Sequence, residues 1–99
     1  MQPPNPYLMN TYVRQPVSFV RGSGTALWDM QGREYLDAMS GVAVTNLGHS
    51  HPEIAQIIAE QAGVLLHTSN NFGIVWQERL GERLCSISGM DRAFFCGSS

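Results

Sequence analysis

The sequence predicts a protein of the α/β class, in which a small antiparallel β-meander precedes two helices and one further strand. Three observations support this prediction: short β-prone runs separated by glycine turns, two stretches with apolar residues at helical spacing, and a closing apolar run. The expected organisation is an extended segment at residues 1–15, the meander at 16–48, and a helical segment leading into the strand at 49–99.

The N-terminal segment is rich in proline, with Pro3, Pro4 and Pro6 close together. Proline removes backbone donors and disfavours helix in the residue before it. We therefore expect residues 1–15 to be extended and to lie on another surface.

The meander is predicted from three β-prone runs, Val17–Val20, Ala26–Asp29 and Glu34–Asp37. Between them lie the turn signals Gly22-Ser23-Gly24 and Gln31-Gly32-Arg33. The first of these contains Gly-x-Gly, but no helix pattern follows it, so we interpret it as a hairpin turn and not as a dinucleotide-binding loop. A sheet this small needs a helix or a second layer to cover it.

The two helices are predicted from apolar periodicity. The first is expected to start at Ser50–Glu53, which has capping-box spacing, and to end near Leu66–His67. The second is expected to run from Trp76 to Ile87, with Gly89 as its C-terminal stop. The closing apolar run, Ala93–Cys96, is typical of a buried strand.

The composition excludes several classes of function. The chain has six Arg, no Lys, eight acidic residues and a formal net charge of -2. Because the arginines form no basic patch, nucleic acid is not an expected partner. Apolar runs are far shorter than the roughly 18–20 residues that span a bilayer, so no membrane partner is expected. Without a secretory signal or a cysteine framework, a cytoplasmic location is expected.

The histidines leave two interpretations. His49, His51 and His67 could ligate a metal ion, or they could serve structural roles such as capping the first helix. No cluster of Cys, Asp or Glu lies near them at ligand spacing, so we favour the structural roles and predict no metal site.

The turn Gly97-Ser98-Ser99 follows the predicted last strand. A strand followed by such a turn is typical of a phosphate-binding loop when a helix continues it, because N–H groups at a helix start favour an anion. The alternative is an ordinary polar turn, and spacing alone favours that alternative.

The chain also carries a series of short motifs in a fixed order. They are Val20-Arg21-Gly22-x-Gly24, Leu27-Trp28-Asp29, Gly32-Arg33-x-Tyr35-Leu36-Asp37, Ser40–Val44, Leu47-Gly48-His49-x-His51-Pro52, Gln61-Ala62, His67–Asn70 and Phe94–Ser98. In order and spacing this series resembles the class III pyridoxal-phosphate-dependent aminotransferases, and most of all those that act on N-acetylornithine. The resemblance runs from about Asn5 to the last residue and corresponds to the N-terminal part of such an enzyme.

The resemblance implies a fold-type I enzyme, whose large domain is a mostly parallel sheet with helices on both faces. The N-terminal segment would belong to a smaller domain and reach across a homodimer with active sites at the subunit interface. Pyridoxal 5'-phosphate would be held by a lysine much later in such a chain, and amino-acid and 2-oxo-acid substrates would bind there. Since these residues include no Lys, we expect no catalytic residue in this chain and no activity from it alone.

The resemblance also implies site positions. Gly97, Ser98 and Ser99 fall on the family's Asn-Ser-Gly loop for the cofactor phosphate, from which Gly97 and Ser99 depart. Val42 stands where related ornithine aminotransferases look to have a tyrosine that meets the free α-amino end of the substrate. A small residue there implies an N-acylated substrate, and the alternative is that Val42 only packs. Phe72 would line the substrate entrance.

The function implied is transfer of the δ-amino group of N-acetylornithine to 2-oxoglutarate, a step of arginine biosynthesis. Two alternatives stay open. One is a class III ω-aminotransferase for succinyldiaminopimelate, ornithine or 4-aminobutyrate, and the other is a non-catalytic dimerisation or binding fragment.

Overall fold

The computed structural model describes residues 5–97, and the chain divides into two compact units between Gln61 and Ala62. The first unit holds a three-stranded sheet, a one-turn element and almost all of one helix. The second holds a longer helix and the loops on either side of it. The predicted small antiparallel sheet followed by helices is confirmed, whereas the predicted domain limits at residues 15 and 48 stay predictions.

The sheet is antiparallel throughout and has the strand order β1-β2-β3. Its strands are β1 (Phe19–Ser23), β2 (Ala26–Asp29) and β3 (Glu34–Leu36). β1 begins two residues later than predicted and continues through Gly22 and Ser23, so the hairpin turn consists of Gly24 and Thr25 alone. Gly24 has φ +58, a conformation that suits glycine in such a short turn.

Pairs of side chains stabilise the sheet across neighbouring strands. The Arg21 guanidinium lies 3.6 Å from the centre of the Trp28 ring, which belongs to its partner residue on β2. The Phe19 and Tyr35 rings meet edge to face at 5.4 Å. Contacts of both kinds contribute roughly 0.5–1.5 kcal/mol each.

Asp29 organises the turn between β2 and β3. Its Oδ1 accepts hydrogen bonds from the backbone N–H groups of Gln31 and Arg33, both at 2.9 Å. Its Oδ2 accepts from Arg33 Nε at 2.8 Å and from the Tyr35 hydroxyl at 3.0 Å. Only 1% of Asp29 is exposed, and burial alone would raise its pKa. These four hydrogen bonds outweigh burial and hold the pKa of Asp29 below its ordinary value.

The helix α2 (Pro52–Ala62) starts near the predicted position but ends earlier than predicted. Gly63 follows its last residue, and glycine is unfavourable inside a helix. The expected capping role of Ser50 is wrong. Ser50 adopts φ +56 and its hydroxyl donates to the carbonyl oxygen of Gly22 at 2.8 Å.

The helix α3 (Val75–Ser88) confirms the second helical prediction. Gly89 ends it with φ +74, and its N–H donates to the Cys85 carbonyl at 3.1 Å. The strand expected at Ala93–Cys96 does not form in this chain, and Phe94 is 88% exposed. The described residues provide no strand beside it, so its backbone cannot form a ladder.

The helices of both units keep much of their apolar surface exposed. Ile57 on α2 is 63% exposed and Leu80 on α3 is 48% exposed. Across the described part of the chain, no apolar side chain is fully buried. Within residues 5–97, no helix combines the length and apolar character needed to cross a membrane.

Candidate functional site

The most unusual backbone of the first unit is the one-turn element α1 (Ser40–Ala43). All four of its residues have positive φ: 55° at Ser40, 62° at Gly41, 63° at Val42 and 60° at Ala43. The left-handed conformation disfavours an L-residue by about 1–2 kcal/mol, and a β-branched residue such as valine adopts it rarely. Strain of this kind is concentrated at functional sites, where surrounding contacts maintain it.

The left-handed turn is closed by its own hydrogen bonds. The N–H of Ala43 donates to the carbonyl of Met39 at 3.0 Å, and the N–H of Val44 donates to the carbonyl of Ser40 at 2.7 Å. Val42 lies in the middle of this turn and is 78% exposed. It is therefore not a packing residue of the first unit, and its predicted role toward the substrate stays a prediction.

Asp37 holds the start of the turn. Its Oδ1 accepts from the N–H groups of Met39 and Ser40, at 2.9 Å and 3.0 Å. Its Oδ2 lies 2.5 Å from Nε2 of His49, and its side chain is only 8% exposed. The hydrogen bond with His49 lowers the pKa of Asp37 most, and the N–H groups of Ser40 and Met39 lower it further.

His49 is fixed in turn by the β1–β2 hairpin. Its N–H donates to the Gly24 carbonyl at 2.8 Å, and its own carbonyl accepts from the Gly24 N–H at 3.0 Å. Gly22 leaves the space for the imidazole, because a Cβ on Gly22 would lie 2.8 Å from Cβ of His49. His49 thus has a structural role, as predicted, but its partner is Asp37 and not the end of a helix.

The other candidate ligands do not converge in the structure. Among residues 5–97, no three His, Cys, Asp or Glu side chains are arranged to hold a metal ion. His51 contributes its backbone carbonyl to α2, which accepts from the N–H of Ala55 at 2.9 Å.

The lowered pKa values of Asp29 and Asp37 predict acid sensitivity of the first unit. A carboxyl whose pKa is lower in the folded than in the unfolded chain stabilises the fold above its unfolded pKa. That stabilisation is lost as the pH falls from about 4, the ordinary pKa of an Asp carboxyl, through the lower pKa values of the two carboxyls in the folded chain. Thermal unfolding between pH 7 and pH 2.5 measures the loss. We expect a weaker acid dependence in Asp29→Asn and an unchanged one in Asp91→Asn, which alters an exposed carboxyl. Equal acid dependence in both variants would contradict the prediction.

The other predicted site residues that the structure describes lie in the second unit. Phe72 is 69% exposed in the loop before α3, and its N–H donates to the Ser69 carbonyl at 3.2 Å. An open cavity of about 440 Å³ lies between α3 and residues 93–95, with Gln77, Glu78 and Phe94 among its walls. Neither Phe72 nor Gly97 lines it.

The predicted phosphate turn is only partly described. Gly97 is exposed, and a Cβ placed on it would meet no atom within 4 Å. Within the described residues this side of the turn is therefore unobstructed. The φ of Gly97 does not lie in the left-handed region, so this turn does not use the special freedom of glycine there. Ser98 and Ser99 lie outside the described residues.

Sequence reasoning identified the motifs of the first unit but missed how they meet. Leu36-Asp37 and Gly48-His49 are separate motifs along the chain, and only the folded hairpin brings Asp37 and His49 together. The sequence placed Gly22 in a turn, and only its observed position within β1 marks it as a point of close approach to another segment.

Comparison with known proteins gives a consistent family. Residues 7–99 match the family model described as aminotransferase class-III. The chain is 54% identical over 92 residues to the acetylornithine aminotransferase of Nitrosomonas europaea and 44% identical over 92 residues to that of Methanocaldococcus jannaschii. Each match covers 93% of this chain and 23% of the relative, so the chain spans about a quarter of the length of these relatives.

Solved structures agree with these relatives. The N-acetylornithine aminotransferase of Stenotrophomonas maltophilia superposes with a TM-score of 0.81 at 42% identity, over 86% of this chain and 24% of that one. The ornithine delta-aminotransferase of Plasmodium falciparum superposes with a TM-score of 0.83 at 30% identity, over 87% of this chain and 22% of that one.

Proposed function

The chain belongs to the class III aminotransferases, and from this membership we propose that it is the N-terminal part of an N-acetylornithine aminotransferase. The reaction would move the δ-amino group of N-acetylornithine to 2-oxoglutarate, giving glutamate and the N-acetylated semialdehyde. The observation that carries the proposal is the 54% identity to an acetylornithine aminotransferase over almost the whole chain. A place in arginine biosynthesis, a cytoplasmic location and a homodimer belong to the same proposal.

Class III aminotransferases depend on pyridoxal 5'-phosphate, and Gly97, the described residue of the proposed phosphate turn, is exposed. When bound, this cofactor supplies the electron sink for amino transfer, while the protein binds and orients the reactants. Gly97 with Ser98 and Ser99 would hold the phosphate through N–H and hydroxyl groups. Val42 would leave room for the acyl group of the substrate, and Phe72 would line the substrate entrance.

A second candidate substrate is free ornithine. It is favoured by the structural likeness to the Plasmodium falciparum ornithine delta-aminotransferase, whose TM-score of 0.83 slightly exceeds the 0.81 of the Stenotrophomonas maltophilia enzyme. The small side chain of Val42, which is 78% exposed on the turn, supports the acylated substrate instead.

Steady-state kinetics with the longer enzyme that carries this segment test the proposal. With 2-oxoglutarate as acceptor, we expect kcat/KM for N-acetylornithine to exceed that for ornithine by about tenfold or more, in the range that pocket shape can supply. Succinyldiaminopimelate and 4-aminobutyrate serve as further amines. The 99-residue chain alone is expected to show no turnover, because it has no Lys for the cofactor. A preference for ornithine or 4-aminobutyrate would refute the proposed substrate.

A further inference from the structure

We propose that Asp37 and His49 are positioning residues, which hold the left-handed turn α1 so that the enzyme favours an N-acylated amine over the free one. This inference rests on the proposed function, because it takes Val42 to face the substrate. The contacts that carry it all lie within the first unit.

The turn needs outside support because its conformation is unfavourable for three of its four residues. Ser40, Val42 and Ala43 have φ between 55° and 63° without being glycine. The N–H groups at its start are those of Met39 and Ser40, and both donate to Oδ1 of Asp37. The carboxylate is therefore the side chain that anchors the beginning of the turn.

Asp37 can serve as an anchor because it is fixed on two further sides. Its backbone N–H donates to the Thr25 carbonyl at 2.7 Å, which ties it to the hairpin. Its Oδ2 contacts His49 Nε2, and the imidazole itself is only 19% exposed. Rotation of the carboxylate would break the contact with His49 and the hydrogen bonds to the turn together.

His49 completes the connection to the sheet. Two backbone hydrogen bonds join it to Gly24, and the imidazole base lies against Gly22. A continuous series of contacts therefore runs from the hairpin through His49 and Asp37 to the turn that carries Val42.

This placement affects specificity as well as folding. The side chain of Val42 takes its position from the backbone of a single turn, and the clearance beside it would decide whether an acyl group fits. A misplacement of about 1 Å in a site can change a rate by about 100-fold. Loosening the turn should thus affect N-acetylornithine more than ornithine, which lacks the acyl group.

The test compares variants of the longer enzyme, loaded with cofactor, by the ratio of kcat/KM for N-acetylornithine to kcat/KM for ornithine. We expect Asp37→Ala to lower this ratio about tenfold. Asp37→Asn keeps an oxygen for both N–H groups and an amide for His49, so its ratio should stay within about threefold of wild type. Asp29→Ala removes the other well-bonded carboxylate of the sheet, and we expect it to lower the melting temperature without changing the ratio.

Four outcomes decide the inference. An Asp37→Ala enzyme that folds and keeps the wild-type ratio would overturn it, as would an equal loss of ratio in Asp29→Ala. If Asp37→Ala does not fold, His49→Ala, which removes the side-chain contact with Asp37, is measured in the same way, and a wild-type ratio there overturns it as well. If the wild-type enzyme does not prefer N-acetylornithine, the proposed function fails first and the positioning inference fails with it.

Discussion

In the longer enzyme, replacing Val42 by tyrosine is expected to lower the proposed preference for N-acetylornithine over ornithine by about 100-fold, mainly through loss of kcat/KM for the acylated substrate. Val42 is 78% exposed at the centre of the left-handed turn, so a larger side chain can be accommodated there without displacing a neighbour in the first unit. The added ring would extend into the space that the acyl group is proposed to occupy.

For free ornithine, the substitution should not lower kcat/KM. The phenolic hydroxyl of tyrosine can accept a hydrogen bond from a protonated α-amino group, an interaction that valine cannot offer. We therefore expect kcat/KM for ornithine to stay equal or to rise in Val42→Tyr. A specificity change of this kind combines a steric penalty against one substrate with a new attraction for the other.

Val44→Tyr provides the matched control. Val44 is the same residue type, is 75% exposed and directly follows the turn, but its φ of -94° places it outside the left-handed region. We expect its ratio of kcat/KM values to stay within about threefold of wild type. Equal effects of the two substitutions, or an unchanged ratio in Val42→Tyr, would remove Val42 from the substrate site.

Replacing Gly22 by alanine is expected to destabilise the first unit by about 2–3 kcal/mol, at the upper end of the range for overpacked sites. The new Cβ would lie 2.8 Å from Cβ and 2.9 Å from Cγ of His49, closer than carbon atoms can approach. His49 cannot move away easily, because both its N–H and its carbonyl are bonded to Gly24. The strand or the loop must shift, and the contact between His49 and Asp37 should weaken.

Gly32→Ala separates this steric effect from the ordinary cost of adding a side chain to a glycine. Gly32 has φ +81, and a Cβ there would meet no atom within 4 Å, so its substitution introduces conformational strain alone. We expect this strain to lower the free energy of unfolding by about 1 kcal/mol. Thermal unfolding measures the stability of both variants, and amide hydrogen exchange at Gly24 and His49 measures local opening around the contact. A loss of stability in Gly32→Ala as large as that in Gly22→Ala would argue against the close contact between position 22 and His49.

Local signals predicted β2 and the end of α3 correctly. The bounds of β2 agree with the run Ala26–Asp29, because β-prone residues between two glycine turns are sufficient to define a short strand. The C-terminal stop of α3 at Gly89 also follows from a local preference, that of glycine for φ near +74° at a helix end.

The features that were missed depend on partners distant in sequence. The hydroxyl of Ser50 bonds the carbonyl of Gly22, so a good local cap is used for a contact between segments. The left-handed turn is the clearest case, because valine at position 42 has no local preference for it. The carboxylate of Asp37, held by His49, anchors the start of this turn from a position that the local sequence does not reveal.

The arrangement of these contacts also sets an order of assembly. Each strand of the sheet pairs with its neighbour in sequence, and hairpins of this kind form in about 1–10 μs. His49 must return from a later part of the chain to reach Gly24, and closing that longer loop has a larger entropic cost. We therefore expect the hairpin to form before His49 docks. The left-handed turn, which is anchored by Asp37 and His49, should become fully ordered only once both are in place.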